Sequence, residues 1–135
     1  MLTISLARGR GLSPVQLQKV LFLLGKKLPQ EVGPNFYDFQ PYNYGPFDSA
    51  VYSDADVLSF GGLVSIAKSG GGYNEYSPTP KGLEYAENLK QAAPPRALAY
   101  LDRAVQWAQT LSFSGLVRAI YDKYPEYRKN SVFQG

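Results

Sequence analysis

Gly62-Leu63-Val64-Ser65-Ile66-Ala67-Lys68-Ser69-Gly70-Gly71-Gly72-Tyr73-Asn74-Glu75-Tyr76-Ser77-Pro78-Thr79-Pro80-Lys81-Gly82-Leu83 is the stretch that decides the fold. Leu63–Lys68 reads as a short strand, Ser69-Gly70-Gly71-Gly72 as a turn, and Tyr73–Ser77 as the returning strand of a β-hairpin with a flexible glycine tip. Thr79-Pro80 then opens a helix. Thr serves as N-cap, and proline occupies the first helical position, where its missing N–H costs nothing.

Upstream of the hairpin, Gly61-Gly62 supplies a left-handed cap to a helix over about 49–60, with Asp48 or Ser49 as N-cap. Val51, Ala55 and Leu58 share one face of it, with Ala50 and Val57 beside them. Residues 29–47 read as a loop rich in Pro, Gly and aromatics. Ser13-Pro14 repeats the cap-plus-proline start. Leu17, Val20, Leu21, Leu24 and Leu28 follow at helical spacing, with Gln16, Lys19, Lys26 and Lys27 mostly off that face, and Pro29 ends the element. Downstream, Leu83, Ala86 and Leu89 mark a helix ending before Pro94-Pro95. A longer one covers about 96–111. Ser112 caps a last helix, lined by Phe113, Leu116, Val117, Ile120, Tyr121 and Tyr124 and stopped by Pro125.

Helix, loop, helix, strand, glycine-rich turn, strand, helix is the order of a winged helix. The fold class expected is therefore mainly α with one β-hairpin, winged-helix-like, with five to six helices. At 135 residues the chain is the size of one domain. Its core is expected over about 13–125, between flexible N-terminal residues and a basic C-terminal tail.

Composition excludes whole classes of chemistry. There is no cysteine, hence no disulfide, thiolate zinc site or cysteine nucleophile. There is no histidine, hence no Ser-His-Asp triad and no His-carboxylate metal site. Asp54 and Asp56 are two apart and do not face each other on a helix, and Asp48 and Asp54 match one face poorly. Gly9-Arg10-Gly11 and the hairpin tip lack the spacing of phosphate loops. The expectation is a protein that is not an enzyme, with no catalytic residue, cofactor or metal. The longest near-apolar stretch, Val20–Leu24, is far shorter than the ~20 residues of a membrane span. With no signal peptide at Met1–Arg10 and no cysteine, a cytoplasmic location without a membrane partner is expected.

The net charge of +3 conceals a segregation. Residues 1–30 hold Arg8, Arg10, Lys19, Lys26 and Lys27 and no acid; residues 31–60 hold Glu31, Asp38, Asp48, Asp54 and Asp56 and no base. A winged helix that reads DNA needs Arg or Lys on its groove-facing helix, against the phosphates. The natural candidate, 49–60, has none and carries Asp54 and Asp56. Protein binding is thus favoured. The alternative, a DNA-binding transcriptional regulator, would have to use Arg8, Arg10, Lys26, Lys27, Lys68, Arg128 and Lys129.

Several tracts resemble the Panacea, or SocA-like, domain family of bacterial proteins: Leu17-Gln18-Lys19-Val20-Leu21-Phe22-Leu23-Leu24, Tyr42-Asn43-Tyr44-Gly45-Pro46-Phe47, and the Gly62-Leu63 entry to the hairpin. Ser112-Phe113-Ser114 and Tyr124-Pro125-Glu126-Tyr127 are similar to a small group close to that family. Together the tracts span most of residues 13–133. The resemblance implies a compact helical domain of winged-helix character. Such domains act as antitoxins or proteolytic adaptors by binding another protein directly, here a toxin or a protease client. Homo-oligomerisation stays open.

The contact surface expected for that partner is the aromatic and acidic stretch 36–56. Phe36, Tyr37, Phe39, Tyr42, Tyr44, Phe47 and Tyr52 crowd it. Phenylalanines suit plugging the loop onto the core, whereas a tyrosine anchor offers rigid contact area with a polar tip. The residues expected to meet the partner are Tyr37, Asp38, Tyr42, Tyr44, Asp48, Tyr52, Asp54 and Asp56.

Overall fold

A computed structural model describes residues 1–134. Among them run helices α1 (Leu2–Ser5), α2 (Pro14–Lys27) and α3 (Pro29–Val32), strands β1 (Gln40–Tyr42) and β2 (Gly45–Phe47), helix α4 (Ala50–Phe60), strands β3 (Val64–Lys68) and β4 (Asn74–Pro78), and helices α5 (Pro80–Ala92), α6 (Pro95–Gln109) and α7 (Phe113–Lys123). A 3-10 turn, Pro125–Arg128, follows. The chain is mainly helical and carries the expected hairpin: β3 and β4 pair antiparallel from Val64↔Pro78 to Lys68↔Asn74.

The local chemistry that starts each helix is visible. Ser13 Oγ accepts from Gln16 N at 3.2 Å while Gln16 Oε1 accepts from Ser13 N at 2.9 Å, a reciprocal capping box. Thr79 and Ser112 cap α5 and α7 by accepting from the N–H groups of Gly82 and Gly115, both at 3.0 Å. Gly82 also has a packing role. A Cβ there would overlap the Leu63 carbonyl oxygen, so only glycine lets α5 lie against the entry to β3.

Helix α2 is the centre of the core. Its Leu17, Val20 and Leu24 pack with Leu101, Val105 and Ala108 of α6 and Leu116 and Ile120 of α7. The Phe22 ring meets Phe39, Tyr124 and Tyr127 edge-on, with centroids 5.6, 5.0 and 4.7 Å away. Most aromatics of the 36–52 stretch are thus mortar between loop and core.

The structure departs from the sequence reading in four places. Residues 29–47 are not all loop: α3 is one helical turn, and β1 and β2 form a second hairpin that pairs Pro41 with Pro46. Proline donates no ladder hydrogen bond and so argues against a strand, but here the two prolines face each other at an isolated two-stranded edge. The helices number seven rather than five to six because α1 and α3, each a single turn, have no periodicity to detect. The core does not begin at residue 13. Ile4, Leu6, Ala7 and Leu12 are buried, and Leu12 bridges Tyr76 through two 2.8 Å backbone hydrogen bonds. The C-terminal tail docks as well: Val132 N donates to Asn43 O at 2.9 Å and Tyr121 Oη to Ser131 Oγ at 2.6 Å.

Several side chains lie opposite to their expected faces, Leu83 of the α5 stripe among them at 48% exposure. Lys19 is buried at 3% exposure, while Val57 is 71% and Phe113 46% exposed. Among the described residues no helix is long and apolar enough to cross a membrane.

Candidate functional site

The Leu-Gln-Lys segment of α2 and the Gly-Pro-Phe strand β2 are held together as one unit. Gln18 is buried and pairs with Asp48 twice, its Nε2 donating to Asp48 O at 2.9 Å and its Oε1 accepting from Asp48 N at 3.1 Å. Lys19 Nζ donates to Pro46 O at 3.1 Å. Two consecutive side chains of one helix turn thereby fix Pro46 of β2 and Asp48 just beyond it. Gly45 lies in the left-handed region at φ 102, as the turn into β2 requires, against the Tyr121 ring and the Lys19 stem.

Asp48 is a scaffold residue. Its carboxylate accepts from Asp38 N at 2.8 Å and from Ala50 N at 2.9 Å, tying the 38–48 loop to the start of α4. Ser49, the N-cap by position, makes no side-chain cap, so Asp48 does that work. Tyr52 is half-buried between Phe47 and Tyr76, and burial pushes its hydroxyl up to about 12. Tyr37 is half-buried against Phe36 and Phe39 and donates to an Asp54 oxygen; burial first, and that carboxylate second, push its hydroxyl up. Of the eight residues expected to meet a partner, five therefore lie open: Asp38, Tyr42, Tyr44, Asp54 and Asp56.

These five are not one patch. Asp54 and Asp56 sit on α4. Tyr42 stacks on Phe47 at 5.0 Å and Tyr44 meets Phe113 of α7 edge-on at 5.1 Å. On α4 they have neighbours that sequence reading passed over. Phe60 is 97% exposed and stands beside the exposed Val57. At about 100° per residue, Phe60 lies opposite the buried Val51, so helical periodicity could have found it. The outer face of α4 is thus Ser53, Asp56, Val57 and Phe60: apolar, acidic and without a base.

Tyr42 and Tyr44 instead rim a cleft of about 860 Å³. Val15, Phe47, Tyr52 and Phe113 contribute its apolar walls, and Arg10, Gln16, Lys19 and Glu75 its polar groups. Lys19 is the unusual member. Among the described residues its ammonium has no carboxylate within 4.0 Å and one acceptor, Pro46 O. Burial alone pushes it down to about 8.

The basic residues weighed for nucleic acid are dispersed. Arg8 bonds both Asp102 oxygens at 3.1 Å, and Arg10 donates to Gln109 O at 2.8 Å, both against α6. Lys26 lies over the Phe22 and Tyr127 rings and Arg128 over Tyr121. Lys68 ends β3. Lys27 and Lys129 are exposed at the end of α2 and after the 3-10 turn. No group of three or more acidic side chains among the described residues could hold a metal ion. Comparison with family models, with curated proteins and with solved structures finds no match to this chain.

Proposed function

We propose that this chain is a non-enzymatic protein-binding module of the antitoxin or proteolytic-adaptor kind, acting in the cytoplasm on a toxin or a protease client through the outer face of α4. The observation that carries the reading is Phe60, almost wholly in solvent beside Val57, with Asp56 on the same face. An exposed aromatic next to an exposed aliphatic is the composition of an interface centre, and burying the pair on a partner removes both from water. Asp56 and the absence of any base on this helix favour a partner with a basic rim. The same face repels phosphates, which opposes the reading of α4 as a groove-binding helix. The resemblance of the Leu17–Leu24 and Tyr42–Phe47 tracts to the Panacea family supports a direct protein partner, and the Gln18 and Lys19 bonds to the second hairpin give those two tracts a joint structural role.

The test is co-expression with the product of the adjacent reading frame. A growth-arresting product should be neutralised by the wild-type chain and not by Phe60→Asp, whose thermal stability should match wild type. Neutralisation that survives Phe60→Asp, or a nanomolar operator in a gel shift at physiological salt, would contradict the proposal.

A further inference from the structure

The cleft beneath Tyr42 and Tyr44 is separate from the outer face of α4 and carries its own chemistry. We infer that it is a binding site for a small organic acid: a single carboxylate, held by Lys19, on an aromatic or branched apolar body held between the tyrosines. The volume of about 860 Å³ falls in the range of small-molecule sites, roughly 300–1,000 Å³, which are mostly apolar with a few convergent polar groups. Here the apolar wall is Val15, Phe47, Tyr52 and Phe113, and the convergent polar group is Lys19.

Lys19 asks for an anion. An ammonium has three donors, and the Pro46 carbonyl takes one. A charge removed from water and left without a counter-charge is costly, so an anion arriving at this ammonium gains more than it would at a surface lysine. The cleft adds a second source of positive potential. The starts of α2 and α7 line it, through Ser13, Pro14 and Val15 and through Ser112 and Phe113. Neither helix has an acid in its first turn to cancel its positive end.

The same wall sets the charge of the ligand at one. Glu75 lines the cleft while accepting from Gly11 N at 3.2 Å, and it disfavours a dianion such as a phosphate monoester. Arg10, the other cation of the lining, is drawn toward α6 by its bond to Gln109 O, and no arginine fork is aimed with Lys19 at one group. A carboxylate on a flat apolar body satisfies both halves. The titratable and charged groups near Lys19 or in its cleft are Tyr121, which with the Lys19 stem borders Gly45, Arg128 over that ring, and Arg10, Tyr42, Tyr44, Tyr52, Tyr73 and Glu75 on the walls.

Titrating the full chain with 2-naphthoate and with 2-naphthamide at pH 7, read by calorimetry or NMR shifts, tests the site. The acid should bind at least about tenfold tighter than the amide. Lys19→Met should abolish that preference while still binding the amide, which also shows that the variant is folded. Should Lys19→Met fail to fold, wild type decides alone. The preference should fall by up to about tenfold between pH 7 and pH 9, as Lys19 loses its proton and the competent fraction drops. Equal binding of acid and amide, no binding of either at millimolar concentration, a preference that persists in Lys19→Met, or one undiminished at pH 9 would overturn the assignment. A peptide C terminus presents the same group, so tighter binding of a pentapeptide ending in phenylalanine than of N-acetylphenylalanine would also overturn it, in favour of a chain end.

Discussion

Replacing Lys19 with methionine exposes what its burial costs the fold. A lysine ordinarily loses its proton near 10.4, and burial brings Lys19 down to about 8. In that interval the unfolded chain holds more protons than the folded one, so stability contributed through this group rises with pH. The penalty is present in full below about pH 8 and is relieved as pH climbs toward the unfolded value. Integrating the linkage between pH 7.5 and 9.5 gives a gain of roughly 2 kcal/mol for the wild type. Other groups titrate nearby. The N-terminal amine is held below its ordinary value by burial first, so its gain comes at lower pH, and the raised hydroxyls of Tyr37, Tyr52, Tyr76, Tyr100 and Tyr124 act in the opposite direction above about pH 9. These contributions cancel when wild type is compared with Lys19→Met. Urea unfolding of both proteins at pH 7.5, 8.5 and 9.5 is the assay. The stability difference between them should move by about 2 kcal/mol in favour of wild type as pH rises. A difference that stays constant within 0.5 kcal/mol would show that Lys19 keeps an ordinary proton affinity, and the reasoning about its environment would fail.

Gly82→Ala should lower stability by about 3 kcal/mol or more, despite the better helix propensity of alanine, because the added methyl meets the Leu63 carbonyl backbone rather than a movable side chain; a melting temperature near wild type would refute that packing. Gln18→Met keeps the volume but leaves Asp48 N–H and C=O without partners, so chemical denaturation should register a loss of about 2–4 kcal/mol. Alanine at Tyr37 or Tyr52 should cost about 3 kcal/mol as half-buried core rings, whereas alanine at Tyr42 or Tyr44 should leave the unfolding midpoint nearly unchanged; equal losses at all four would erase the distinction between scaffold and surface.

Much of the scaffold was legible because it is written in local chemistry. Thr79-Pro80 and Ser13-Pro14 mark helix starts within one residue, and the glycine tip places β3 and β4 within one residue of where they lie. What escaped depends on contacts distant in sequence. The β1–β2 hairpin is stabilised from α2 through Gln18 and Lys19, and its prolines argue locally against strands. Helix α1 is buried by α5 and α6, with no periodic signal of its own. Lys19 sits one residue off an apolar stripe and reads as a solvated charge until the second hairpin closes over it. Five of the eight residues expected to meet a partner do lie in solvent. The coherence of that aromatic and acidic cluster was not legible, because Asp48 is consumed by two backbone N–H groups and Tyr37 by Asp54.

Hydrogen–deuterium exchange of the chain alone and in complex with the adjacent-frame product it neutralises measures the contact surface directly. The α4 account expects new protection concentrated over residues 53–60, with the 8–10, 26–27 and 128–129 segments unchanged. Protection over those basic segments with α4 exchanging as in the free chain would contradict it.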